Sequence, residues 1–362
     1  MTSTVDPSRT VGAATTGADA GGGTGSGAVV EELAMNETPY PPLPSVLRLV
    51  RQQAERLNRY PDHLAGELVA ALARRLDVPA AQVLVGPGSA GLSQHIVASL
   101  GPERPEVVYP ALSFEGYPLI VANAGARPVP VPLDGYRHDL DAMAEAVTER
   151  TRCVLLCNPN NPTGAVLGRA EIEAFLDRIP PEVVVIVDEA YREFVTDPDV
   201  PDALDLYRAH DNVCVLRTFS KAYGLATLRV GYAVAAPRIT ARARMVGLVF
   251  YPGGLGQAAA LASLDESVGA ELAARRDELV AARRALRDGL LAAGLPVAPS
   301  EANFLWLPLG ADAVDFADHC RRAGILVRPY PDQGVRITVG TAEANQRLLA
   351  VARDGVGRVS GE

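Results

Sequence analysis

The chain has 362 residues, 48% of them hydrophobic, and a formal net charge of −9 at pH 7. That is enough apolar side chain for a sizeable core and roughly two domains, while the acidic balance, with no Lys/Arg-rich block, speaks against nucleic acid or anionic membrane as partners. Apolar runs such as Val183–Val187 are far too short to span a bilayer, and no basic segment followed by an apolar stretch opens the chain, so a cytoplasmic protein without a signal peptide is expected.

Residues 1–29 are mostly Gly, Ala, Thr and Ser, with almost no large apolar side chain. Such a segment cannot bury enough surface to offset its ordering entropy, so a disordered tail is predicted. From about residue 80, short β-branched runs alternate with helix-like stretches. "AQVLVG" leads to "SAGLSQHIVASL", "EVVYP" to "SFEGYPLIVANAG", and "TRCVLLCNPNNPTG" to "RAEIEAFLDRI"; "EVVVIVDEAY" and "NVCVLRTFSKAYG" follow. Continuous apolar runs separated by helices indicate a mostly parallel sheet, buried on both faces, in an α/β domain. After about 252 the pattern changes. A long Ala/Arg/Glu/Leu helix over about 255–294, with a break expected near "ESVG", precedes "ANFLWLPL", an amphipathic helix, "GILVRPY" and "GVRITVG". This part reads as a smaller α+β domain. Cys153, Cys157, Cys214 and Cys320 show no CxxC spacing, and the first three lie in apolar runs. They are expected to be buried free thiols rather than disulfides or metal ligands.

The polar clusters fall at the ends of the predicted strands. Gly86-Pro87-Gly88-Ser89 follows "VLV", Asn158 to Gly164 follows "VLLC", Asp188 follows "VVVIV", and Thr218 to Lys221 follows "VCVL". In open α/β sheets ligands sit at the carboxyl ends of strands, so four such turns describe one pocket. Taken singly, each has an ordinary role: Asp188 as a helix N-cap, "NPNNPTG" as a rigid turn, "GPGS" as a generic glycine turn. Taken together they suit one ligand. Lys221 can hold an aldehyde as a Schiff base, and Asp188 can keep a pyridinium nitrogen protonated. The helix start at "GPGS" and the hydroxyls beside Lys221 suit a phosphate, and an asparagine amide suits a phenolate oxygen. That ligand is pyridoxal 5'-phosphate.

The segments "NPNNPTG", "DEAYREF", "RTFSKAYGLATLRVGY" and "GVRITVGT" resemble those of fold-type I pyridoxal-phosphate-dependent aminotransferases. The likeness is greatest to the branch of histidinol-phosphate and aromatic (phenylalanine) aminotransferases, and it runs from about Glu31 to Arg353 with the motifs in family order. The resemblance implies an α/β fold, with a large cofactor-binding domain over 60–251 and a mostly parallel central sheet. It also implies a smaller α+β domain over 252–362, and a segment 30–59 that joins the small domain and the dimer contact. Lys221 would be the Schiff-base lysine and proton shuttle, Asp188 the partner of the ring nitrogen, and Asn161 and Tyr191 the ligands of the ring oxygen. Phe114 would stack on the ring, and Gly88, Ser89, Thr218, Ser220 and Arg229 would form the phosphate cup. Tyr60 would reach the phosphate held by a second copy in a homodimer, and Arg336 would grip the substrate α-carboxylate, a task suited to a bidentate guanidinium.

Both branches share the amino-acid end of the reaction, so the substrate side chain decides between them. "GPGSAGL" carries Ala90 and Gly91 where histidinol-phosphate aminotransferases commonly have an acidic residue. "NETPYPPLPSV", "SFEGYPLIV" and "EANFLWLPL" look more like the aromatic branch. Tyr40, Phe250, Phe304 and Trp306 are candidates to receive an aryl ring, with Phe304 and Trp306 equally suited to the small-domain core. The chain departs from the branch at "YPALSFEGYP", which lacks a tryptophan-arginine pair, and at "FYPGGLG", where Gly253 stands in place of an asparagine. The reading is an aromatic amino acid:2-oxo acid aminotransferase, with 2-oxoglutarate as one acceptor. Histidinol-phosphate transamination, a specialised-pathway aminotransferase and a decarboxylase on the same fold stay open as alternatives. A cofactor-sensing regulator would be expected to carry an added basic DNA-binding domain.

Overall fold

The computed structural model describes residues 30–101 and 104–359; the tail expected at 1–29 lies outside the described residues. A seven-stranded sheet runs in the order Val83–Gly86, Gly231–Val234, Val213–Thr218, Val184–Asp188, Thr151–Cys157, Glu106–Pro110, Arg127–Val131. Gly231–Val234 is antiparallel to both neighbours and the remaining pairs are parallel, so the mostly parallel sheet read from the sequence is present. Successive strand residues serve opposite faces. Val185 and Val187 join Val154, Leu156, Val213 and Val215 in one core. Ile186 joins Leu155, Cys214 and Leu216 in the other. Both faces are covered by helices, which is why these strands read as unbroken apolar runs. All four cysteines are free and buried, and burial pushes the thiols of Cys157, Cys214 and Cys320 up to about 12.

A second body is built on an antiparallel sheet, Phe304–Gly310, Gln333–Thr338 and Arg328–Tyr330. The amphipathic helix Ala313–Arg322 and the terminal helix Ala342–Val359 flank it. Glu31–Glu32 pairs in parallel with Ile325–Leu326, tying the start of the described chain to this body. Leu43 and Val46, a few residues on, pack into the core of the large sheet.

The long helical stretch is two helices, Gly254–Ser263 and Glu266–Ala292. The break falls just before "ESVG", where Asp265 accepts a hydrogen bond from Ser267 N at 2.8 Å and caps the second helix. Ala259, Ala260 and Val268 belong to the core of the large sheet, whereas Leu279, Leu286 and Leu290 belong to the second body. The change of core partner therefore falls inside the Glu266–Ala292 helix. Among the described residues, no helix is long and apolar enough to cross a membrane.

Candidate active site

The floor of the site follows from the sheet. Cys157 and Asp188 are register partners at the ends of adjacent parallel strands, and Thr218 ends the next strand. The turns that follow these strands therefore open on the same edge. Asp188 is buried, and among the described residues only the Ala190 N–H (3.2 Å) and the Tyr117 hydroxyl (3.4 Å) donate to its carboxylate. Burial pushes its pKa up to about 6 against those two hydrogen bonds. A buried carboxylate so placed is stabilised by a cation, and a protonated ring nitrogen would supply one.

Beside it lies an anion cradle. Gly88 begins the helix Gly88–Ala98 at φ +72°, a conformation that favours glycine, and a Cβ there would sit 2.8 Å from Arg229 Nη2. A Cβ on Gly231 would sit 2.7 Å from both Gly88 C and Ser89 N, so the strand can pass this close only as glycine. The Thr218 hydroxyl donates to Ser220 Oγ at 2.9 Å, and Arg229 Nη1 donates to the same oxygen at 3.3 Å. Backbone N–H groups at a helix start, two hydroxyls and a guanidinium suit a phosphate.

Lys221 is partly buried. Its Nζ donates to Asn36 O (3.1 Å) and Met35 O (3.4 Å) and lies 5.7 Å from the centre of the Tyr191 ring. Burial, then the charges of Arg336 and Arg229, brings its pKa down to about 8, opposed by Glu37 and Asp188. Of the 34 lysine and arginine residues in the chain, Lys221 is the sole lysine. Arginine meets every other need for positive charge here, and lysine stands where a primary amine that can lose its proton is required. That signal is in the sequence and the motif reading passed over it.

Arg336, also buried, donates through Nη1 to Asn161 Oδ1 (2.5 Å) and Tyr330 Oη (3.2 Å), and through Nη2 to Ala34 O (2.5 Å). Its Nε is buried and has no hydrogen-bond partner among the described residues. A carboxylate could pair with that edge and replace the Ala34 carbonyl. Since Arg336 occupies the carbonyl end of Asn161, the amide Nδ2 of Asn161 remains available to donate.

Tyr191 is buried edge-on to Phe304, with ring centres 5.0 Å apart. Phe114 stands edge-on to Tyr117 at 5.5 Å, and a Cβ on Gly116 would come within 2.6 Å of its ring. Lys221, Asp188, Tyr191, Asn161, Arg336 and the phosphate-type residues are thus brought to one cleft. Other residues are placed elsewhere. Tyr60, 84% exposed, packs on Phe250 with ring centres 4.7 Å apart. Tyr40 lies beside Arg275, 5.6 Å from its guanidinium, and burial together with Glu278 pushes its pKa up to about 12. Among the described residues, neither Tyr40 nor Phe250 has a hydrogen bond or ring contact with Lys221, Asn161 or Arg336. Phe304 and Trp306 are buried in the small-body core. The motif reading missed Asn36, Tyr117 and the Glu115–Arg328 pair, because their partners lie far away in the chain.

Residues 28–351 match the family model described as aminotransferase class I and II. Relatives named aromatic amino acid aminotransferase include one from Streptomyces coelicolor, 49% identical over 91% of each chain, and one from Rhodococcus opacus, 51% identical over 89% of each. Among solved structures, the histidinol-phosphate aminotransferase of Sinorhizobium meliloti in complex with pyridoxal-5'-phosphate is similar at a TM-score of 0.85, with 29% identity over 92% of each chain. The chain belongs to the class I and II aminotransferases. It is a fold-type I enzyme whose cofactor is pyridoxal 5'-phosphate, and the cradle at Gly88 and Gly231, the cation-seeking Asp188 and the lone lysine fit that cofactor.

Proposed function

We propose that this class I and II aminotransferase moves an amino group between an aromatic amino acid and a 2-oxo acid such as 2-oxoglutarate. The observation that carries the reading is Lys221, an amine brought to about 8 in a cleft shared with a buried carboxylate and a buried guanidinium whose Nε has no hydrogen-bond partner among the described residues. Pyridoxal 5'-phosphate, when bound, supplies a conjugated ring that accepts the electron pair left at the substrate Cα. Lys221 would hold the cofactor covalently and would serve as the base that takes the substrate Cα proton and delivers it to the cofactor carbon that receives the amino group. Asp188 keeps the ring nitrogen protonated, and Asn161 and Tyr191 donate to the ring oxygen. Phe114 covers the ring, while Gly88, Ser89, Thr218, Ser220 and Arg229 hold the phosphate. Arg336 exchanges the Ala34 carbonyl for the substrate α-carboxylate and so fixes Cα near Lys221.

The aromatic preference is supported by the names of the similar proteins and by the second arginine of the cleft. Arg328 is the register partner of Arg336 across the small sheet. Its guanidinium is taken by Glu115, Nε to Oε1 at 3.2 Å and Nη2 to Oε2 at 2.6 Å. An anionic side chain, such as a phosphate, would have to displace Glu115, whereas a neutral ring would not. Assaying the holoenzyme with 2-oxoglutarate against Phe, Tyr, Trp, histidinol phosphate and Ala tests this. The aromatic donors should react fastest; histidinol phosphate as the best donor would overturn the preference.

A homodimer accounts for Tyr60 and Phe250. Leu57, Tyr60, Leu64, Met245, Leu248 and Val249 are all more than half exposed, a cost in water that a second copy would relieve. Tyr60 would then serve the phosphate of the other copy, with Phe250 beside it at the mouth of that site. Sedimentation as a monomer at assay concentration would remove this assignment.

A further inference from the structure

We infer that Asn36 is a positioning residue for the cofactor's ring oxygen: its side-chain amide donates to the Tyr191 hydroxyl and thereby turns the single Tyr191 proton into the cleft. The inference rests on the reading of Tyr191 as a donor to that oxygen. Asn36 is 1% exposed and holds φ at +55°, in the left-handed region that asparagine tolerates better than most side chains. This conformation sends its two polar ends to different targets. Its carbonyl accepts from Lys221 Nζ (3.1 Å) and from Asn303 Nδ2 (3.2 Å), while its Nδ2 donates to Tyr191 Oη at 2.9 Å.

Thr338 fixes which end of the amide faces Tyr191. The Thr338 hydroxyl accepts the Asn36 N–H at 2.9 Å and donates to Asn36 Oδ1 at 3.2 Å, leaving Nδ2 for the phenol. A phenol has one proton, and a buried one needs an acceptor. Among the described residues, Tyr191 Oη accepts from Asn36 and has no acceptor for its own proton. Burial holds the Tyr191 pKa well above the usual phenol value, so the proton stays on at working pH. The direction left for it is the cleft. Asn161 is prepared in the same way, its carbonyl end taken by Arg336.

A donor on the ring oxygen withdraws electron density from the conjugated ring and lowers the pH at which its visible band titrates. The test is the absorbance titration of purified holoenzyme. Asn36→Gly keeps the left-handed backbone and removes the amide, and Asn36→Asp replaces the donor with an acceptor that pulls the Tyr191 proton back. The band pKa should rise by about half a unit to one unit in Asn36→Gly and further in Asn36→Asp, the size of one hydrogen bond. In a Tyr191→Phe background the Asn36→Gly shift should vanish, and Asn36→Asp should keep only the part due to its added charge. An unshifted band in both Asn36 variants, when Tyr191→Phe alone shifts it, would overturn the role of Asn36. So would an Asn36→Gly shift that persists in the Tyr191→Phe background. A band that Tyr191→Phe leaves unmoved would instead overturn the reading of Tyr191 on which the inference rests. A thermal melt of each holoenzyme variant shows whether it has folded.

Discussion

The floor and the roof of the cleft are built by different means. The floor, from Gly88 through Asp188 to Lys221, hangs on the ends of parallel strands that are buried on both faces, and each functional residue follows its strand within a few positions. The roof is assembled from the segment around Ala34–Glu37 and the small antiparallel sheet, and its residues meet partners hundreds of positions away: Asn36 with Thr338, Arg336 with Ala34. A rigid floor suits a cofactor that stays. A roof whose backbone carbonyls stand in for a carboxylate suits a substrate that comes and goes.

The largest effect should come from the floor. Lys221→Ala removes the only lysine in the chain and should lower turnover by roughly 10³-fold or more, with loss of the visible cofactor band. Native turnover in that variant would break the assignment.

The body that carries the floor should also be vulnerable to acid. His138 is buried, and burial, with the Arg137 charge adding to it, brings its pKa from 6.5 to about 4. Between those values the unfolded chain binds a proton that the folded chain refuses, so stability falls as pH drops through this window. The loss approaches roughly 3 kcal/mol at its acid end. Asp188, pushed up to about 6, works in the opposite sense. The His138 contribution is therefore the difference in denaturant stability between wild type and His138→Leu; equal pH slopes for the two would refute it.

On the roof, Arg336→Ala should cut kcat/KM for the amino donor by about 10- to 100-fold, the value of charge-assisted hydrogen bonds, while cofactor affinity holds. An unchanged KM would remove the carboxylate role. The smallest effect belongs to Glu115→Gln. The Glu115–Arg328 pair is partly exposed, so freeing Arg328 should improve donors with anionic side chains relative to phenylalanine by only a few-fold. A ratio that does not move would mean that Glu115 plays no part in selectivity.

The contrast also explains what could be read before any coordinates. Asp188 and Lys221 were legible because an apolar run announces a strand and the polar residue after it marks the strand's end. The helix break before "ESVG" was nearly legible, with Asp265 as its cap. Asn36 was not, since "MNETPY" gives no local sign of a left-handed residue that serves both Lys221 and Tyr191. Glu115 and Arg328 each look like surface charges until the small sheet brings them together. Tyr40 and Phe250 were put forward for the substrate end from residue type; Tyr40 lies beside Arg275 and Phe250 beside Tyr60, and their place at the substrate end is a proposal.

The central claim is that the whole site is organised around one amine. Borohydride reduction of the holoenzyme followed by peptide mass spectrometry tests it most directly. The account predicts one reduced cofactor adduct per chain, on Lys221, and none in Lys221→Ala. An unmodified Lys221, or an adduct on the N-terminal amine in its place, would contradict it.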